Sequence, residues 1–173
     1  MSLQWVSVHL LAIAALCVLF PCAAGATAST LDFGSSTVVS TLSNGGAGEL
    51  RWSGIAAVNG DSVDLVATVT GGNYQAADLA KNGLSGEYGQ INLLTNHAAR
   101  FRFALVDSLT QAAISLTGFQ FVVFDLDEGN NGKNRETVQM FTAGSFTTTN
   151  NTEITIDASD PSGPIFESST PGI

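Results

Sequence analysis

Alternating apolar and polar residues recur along this chain in short runs. In residues 99–107, Phe101, Phe103 and Leu105 share one face while Arg100 and Arg102 share the other, as in a strand with one buried face. Other runs rich in Val, Ile, Phe and Thr, separated by Gly, Asn, Asp or Ser, cover residues 49–57, 62–70, 89–95, 118–126, 136–143 and 153–157. This spacing predicts an all-β fold, an antiparallel β-sandwich that is jelly-roll-like.

The run 118–126 differs from the others because both of its faces are apolar, which is typical of a strand at the centre of a sheet. We expect its Phe119, Phe121 and Val123 to face the core. Helical signals are confined to residues 75–81, for which we predict one short helix. The Ser, Pro and Gly-rich residues after about 159 predict a flexible C-terminal tail.

The N-terminal segment has the pattern of a secretory signal peptide. Residues 10–20 form an apolar run that is shorter than the roughly 20 residues a membrane-spanning helix needs. Pro21 and a stretch of small residues follow, and Ala24-Gly25-Ala26 offers a cleavage site of the A-x-A type. We therefore predict a signal peptide over residues 1–26 and a secreted chain with no membrane span after cleavage. The absence of Lys and Arg before the apolar run leaves an uncleaved anchor or a buried core helix as an alternative.

The cysteine content and the length limit the number of disulfides and domains in the rest of the chain. Cys17 and Cys22 both lie within the predicted signal peptide, so the processed chain would hold no disulfide and no thiol nucleophile. Residues 27–173 fall in the size range of a single domain that can bury its own core.

Charge narrows the class of partner. The formal net charge is −9, and every charged side chain falls at or after Asp32. Nucleic acid and anionic membrane surfaces are therefore poor partners. Solubility outside the cell is one reading of this acidic charge, and cation binding is the more specific one.

The segment from Phe119 to Phe141 carries the sharpest chemical signal. An apolar strand runs into a loop of acids, amides and glycines and then into a second strand, which predicts a hairpin. Asp125, Asp127 and Glu136 would crowd its tip, and carboxylates two residues apart with a closing Glu are typical oxygen ligands for calcium. A structural calcium is one reading of this tip, and an ordinary solvated polar loop is the other.

Other candidate sites are less specific. The predicted mature chain contains Trp52, Tyr74 and Tyr88, each of which could stack on a sugar or pack in the core. Asn150 begins an Asn-Asn-Thr sequon, a glycosylation site if the host is a eukaryote. The single histidine of the mature chain, His97, has no G-x-S-x-G turn beside it, which disfavours a Ser-His-Asp triad.

The series FRFALVDS and then FQFVVFDLDEG, followed by a Glu and a Val-rich strand, resembles extracellular jelly-roll modules of the choice-of-anchor or PEP-CTERM-associated type. The similarity covers residues 101–138. It implies adhesion or glycan binding rather than catalysis, with calcium in a structural role and with an extracellular glycan or a matrix or surface protein as the partner. The alternatives are a secreted carbohydrate hydrolase using a carboxylate pair drawn from the acids around Asp125, Asp107 or Glu87, and a structural coat or wall component.

Overall fold

Every strand pair described in the computed structural model is antiparallel. The structure describes residues 6–9, 14–19, 31–114, 120–123, 136–140, 148 and 153–169. The strands in these ranges are β1 (Val6–His9), β2 (Ala14–Leu19), β3 (Thr37–Ser40), β4 (Glu49–Val58), β5 (Asp61–Gly72), β6 (Gly83–Ser85), β7 (Tyr88–Ile91), β8 (Ala99–Asp107), β9 (Gln120–Val123), β10 (Thr137–Met140), β11 (Ile154–Asp157) and β12 (Ile165–Ser168).

The strands form two sheets. The larger sheet has the order β11-β12-β10-β1-β8-β5-β4-β3, and the smaller has the order β6-β7-β2-β9. The prediction of an all-β, antiparallel, sandwich-like fold is confirmed. No helix among the described residues is long and apolar enough to cross a membrane.

Side-chain alternation fixes the faces of the long strands. Phe101, Phe103 and Leu105 of β8 are buried, while Arg100 and Arg102 on the other face are exposed, as predicted. The Phe101 ring packs edge-on against Tyr74, with centroids 5.6 Å apart. Of the three core residues predicted in the run 118–126, Val123 packs against the core, Phe119 lies outside the described residues, and the burial of Phe121 stays a prediction.

Two tight turns follow directly from local sequence. Asn59 and Gly60 both have positive φ, 55° and 94°, so the turn between β4 and β5 is of type I′. The hairpin of β6 and β7 turns at Gly86, whose φ is 60°, and at Glu87, whose φ is not positive. That combination is the type II′ turn, which needs glycine at its first central position.

The predicted hairpin between residues 119 and 141 is wrong. β9 pairs with β2 in the smaller sheet, whereas β10 pairs with β1 and β12 in the larger sheet. The two strands therefore belong to different sheets. Strands that follow each other in the chain need not pair with each other.

Two further expectations differ from the structure. The region predicted as a flexible tail contains β12, in which Phe166 is 7% exposed and Ser168 is 1% exposed. Burial of these two side chains and pairing with β10 and β11 hold this part of the chain in the larger sheet. The predicted helix at residues 75–81 is reduced to a single 3-10 turn, Leu79–Lys81, capped by the Asp78 carboxylate.

Candidate functional site

Of the three predicted stacking residues, the structure exposes one. Trp52 is 1% exposed and Tyr74 is 0% exposed, whereas Tyr88 is 43% exposed. A sugar can stack only on a ring face that solvent reaches, so Trp52 and Tyr74 are core residues and not stacking residues. Of these three aromatic residues, Tyr88 remains for a ligand.

The two buried rings position the hairpin that carries Tyr88. Indole Nε1 of Trp52 donates to the carbonyl oxygen of Gly83, at 2.6 Å, and Gly83 is the first residue of β6. The Tyr74 hydroxyl accepts from Nδ2 of Asn82 at 2.7 Å, and Oδ1 of Asn82 accepts from the backbone N–H of Asn92 at 2.8 Å. Burial raises the pKa of Tyr74, and the hydrogen bond from Asn82 opposes this effect only in part. The hydrogen bonds fix both ends of the hairpin to the core.

Packing under the hairpin turns the Tyr88 side chain outward. The next residue, Gly89, is buried, and a Cβ atom added there would lie 2.6 Å from Cε1 of Phe33 and 3.2 Å from Cζ2 of Trp52. Gly89 therefore faces the interior with no space for a side chain. Because successive residues of a strand face opposite sides, Tyr88 faces solvent.

Two carboxylates lie beside this hairpin. A Cβ atom added to Gly34 would lie 3.4 Å from Oδ1 of Asp32 and 3.6 Å from Cγ of Glu87. Glu87 precedes Tyr88 in the chain, so the turn at residues 32–35 brings Asp32 to the same edge of the protein. We call Asp32, Gly34, Glu87 and Tyr88 the Tyr88 rim.

The geometry of Asp32 is set by Ser35. The Ser35 hydroxyl donates to Oδ2 at 2.7 Å, and the Ser35 backbone N–H donates to Oδ1 at 3.2 Å. These bonds, the hydroxyl bond first, hold the pKa of Asp32 below its usual value, so the exposed carboxylate stays charged in mildly acidic solution. Sequence reasoning missed Asp32 and Gly34, although Asp followed three residues later by Ser is the local pattern of such a turn.

The predicted calcium ligands are only partly described. Asp125 and Asp127 lie outside the described residues, as does Asn150. Glu136 is 0% exposed, immediately before β10, and its backbone exchanges hydrogen bonds with Ser168 of β12. Within the described part of the chain, no three His, Cys, Asp or Glu side chains group as metal ligands. The calcium site stays a prediction.

Other candidate residues have structural partners. Asp107 accepts hydrogen bonds from Leu109 and Thr110 in the turn after β8, and the backbone bond from Thr110 is the main reason why its pKa is lowered. His97 lies in a turn, with Nδ1 3.0 Å from the carbonyl oxygen of Thr95. Neither geometry resembles an acid–base pair across a cleft.

Comparison with known proteins found no matching family model, no similar curated protein and no similar solved structure, so the Tyr88 rim rests on its own geometry.

Proposed function

We propose that this protein is a secreted extracellular binding module and that it binds glycans at the Tyr88 rim without catalysis. The observation that carries the proposal is the exposed Tyr88 ring on a hairpin fixed to the core, beside Asp32 and Glu87. An aromatic ring offers its face to the C–H groups of a sugar, and carboxylates accept hydrogen bonds from sugar hydroxyls.

Charge specifies the class of glycan. Asp32 and Glu87 lie at the hairpin turn that precedes Tyr88, and the whole chain carries a formal net charge of −9. Sulfated and uronic-acid sugars would meet repulsion at this edge. We therefore expect neutral or amino sugars to bind and anionic sugars to be excluded.

The titration behaviour of the carboxylates supports binding rather than hydrolysis. A glycosidase needs a general acid whose pKa is raised toward neutrality. Asp32, Asp64, Asp107 and Asp157 all have lowered pKa values, so none of these four carboxylates fits the role of that general acid.

Tyr88→Ala should weaken binding of a neutral glycan by about fivefold or more, because truncation of a central aromatic contact typically costs more than about 1 kcal/mol. Tyr88→Phe should retain most of the affinity since it keeps the ring. Calorimetric titration with soluble neutral oligosaccharides, selected beforehand by glycan-array screening, is the measurement.

The matched control is Leu109→Ala. Leu109 is 91% exposed in the turn that follows β8, so the substitution removes an exposed apolar side chain outside the Tyr88 rim.

Gly34→Ala should reduce affinity with little change in stability. The φ of Gly34 is not positive, and the new methyl group would make ordinary contacts with the Asp32 carboxylate and the Glu87 side chain. A Tyr88→Ala protein that binds like the wild type, or a wild type that binds no neutral glycan, would contradict the proposal.

We also propose a structural calcium held by Asp125, Asp127 and Glu136. Support comes from the residue types, because two carboxylates two positions apart and a third at Glu136 offer the oxygen ligands that calcium prefers.

Calcium should raise the melting temperature and a chelator should reverse the change. At a free concentration of 100 times Kd, the free energy of unfolding should rise by about 2.7 kcal/mol. The double variant Asp125→Asn and Asp127→Asn should lose most of this response. Identical melting of the wild type in millimolar calcium and in chelator would rule out the site and leave a solvated loop.

A further inference from the structure

The two N-terminal strands occupy interior positions in both sheets. β1 lies between β8 and β10 in the larger sheet, and β2 lies between β7 and β9 in the smaller sheet. Val6 is opposite Phe101 on one side and Met140 on the other. Leu16 is likewise opposite Gly89 and Val123.

These strands join two parts of the sandwich. Among the described strand pairs, β8 and β10 each pair with β1 and not with each other, and β7 and β9 each pair with β2 and not with each other. β3 to β8 therefore lie on one side of the N-terminal strands in the sheet order. β9 to β12 lie on the other.

The same residues form the body of the predicted signal peptide. Cleavage after residue 26 would remove β1 and β2 together. Removing an interior strand leaves a gap of two strand spacings, about 9–10 Å. Four strand edges would then present backbone N–H and C=O groups without sheet partners, which is a template for pairing with another strand.

We propose that the processed protein is a strand acceptor and that a partner protein donates an extended apolar segment to the positions of β1 and β2. This inference rests on the proposed secretion. The occupant seen here defines the chemistry of the donor: two strands of four and six residues, joined by residues 10–13, with no Asp, Glu, Lys or Arg. Strand donation of this kind obtains affinity from main-chain hydrogen bonds and specificity from alternate side chains.

A partner protein fits better than a second copy of this chain. Each of the described strands from β3 to β12 is already paired within the two sheets. A second processed copy therefore offers no spare strand among its described residues.

The test uses the full chain with a specific protease site placed within residues 20–30 and cut after folding. The N-terminal fragment should remain bound to the body on size-exclusion chromatography. A labelled synthetic peptide of residues 6–19, with Cys17→Ser, should exchange into the cut protein and not into the uncut protein. The matched peptide carrying Val8→Pro and Val18→Pro should bind at least tenfold more weakly. Proline has no backbone N–H group, and in an interior strand each N–H group donates a hydrogen bond to one of the two neighbouring strands.

Two outcomes would overturn the proposal. Release of the fragment with an unchanged melting temperature and no uptake of peptide would mean that the sheets close without a donor. Dimerisation of the cut body would mean that a second copy fills the gap. No glycan enters the experiment and the cut is engineered, so these outcomes are independent of a failure of glycan binding or of secretion.

Discussion

Asp64→Ala is expected to lower the free energy of unfolding by about 3 kcal/mol, the lower end of the cost of removing one partner of a buried ion pair, because Arg51 is partly exposed and keeps Glu49 as a partner. Asp64 is 3% exposed in β5. Its carboxylate accepts from Nη1 of Arg51 at 2.8 Å and from the hydroxyl of Ser108 at 2.5 Å. It also accepts from the N–H of Gly54 at 3.0 Å, where the register of β4 shifts, so the substitution leaves several donors unpaired.

Acidic pH should also remove the contribution of the Asp64 carboxylate to the free energy of unfolding. Burial raises the pKa of Asp64, but the hydrogen bonds from Ser108, Arg51 and Gly54 together outweigh it, so the pKa lies below its ordinary value. A lowered pKa in the folded state stabilises the protein above the unfolded-state pKa of about 3.9, and this stabilisation is lost as the pH falls through the lower folded value. Urea unfolding at pH 7 and near pH 3 should therefore show a smaller difference between wild type and Asp64→Asn at the lower pH.

The control for this prediction is Asp61→Ala. Asp61 is exposed at the start of the same strand, and its replacement should change stability by about 0.5 kcal/mol or less. Equal effects of the two substitutions at pH 7 would show that Asp64 does not hold β4, β5 and the Ser108 turn together.

Phe101→Ala should also cost about 3–5 kcal/mol, through loss of apolar burial and formation of a cavity. Phe101 is 0% exposed in β8 and contacts the rings of Tyr74 and Phe103, with centroids 5.6 and 6.4 Å away. Chemical denaturation monitored by circular dichroism is the measurement.

The matched substitution is Arg102→Ala, one residue along β8 on the exposed face. It should change the midpoint of denaturation little. A small effect for Phe101→Ala, similar to that for Arg102→Ala, would mean that the inner face of β8 does not form the centre of the core.

The alternation of apolar and polar residues predicted the strands, because it depends only on residues that are close together in the chain. A strand buried on one face must place apolar residues at every second position, so the pattern of residues 99–107 predicted both β8 and its inward side chains. Five strands escaped the prediction. β3, β6 and β12 have three or four residues, too few to show a period, and the residues of β1 and β2 were assigned to a signal peptide.

The Tyr88 rim was only partly predictable, because its residues are far apart in the chain and their burial depends on tertiary packing. Tyr88 was a candidate from its residue type, but so were Trp52 and Tyr74, and residue type does not reveal which ring packs inward. The rim also needs Asp32, which is 56 positions from Tyr88 and reaches the same edge only because the turn at Gly34 lies against Glu87.

The sequence by itself determined the all-β class, the long strands, the inward face of β8 and the turn at Asn59 and Gly60, since each depends on neighbouring residues alone. Only the tertiary structure decided that β9 and β10 belong to different sheets and that residues 165–168 form a strand. It also decided which aromatic ring is exposed. Strand partners and burial are set by packing between residues far apart in the chain, and the sequence contains no local signal for that packing.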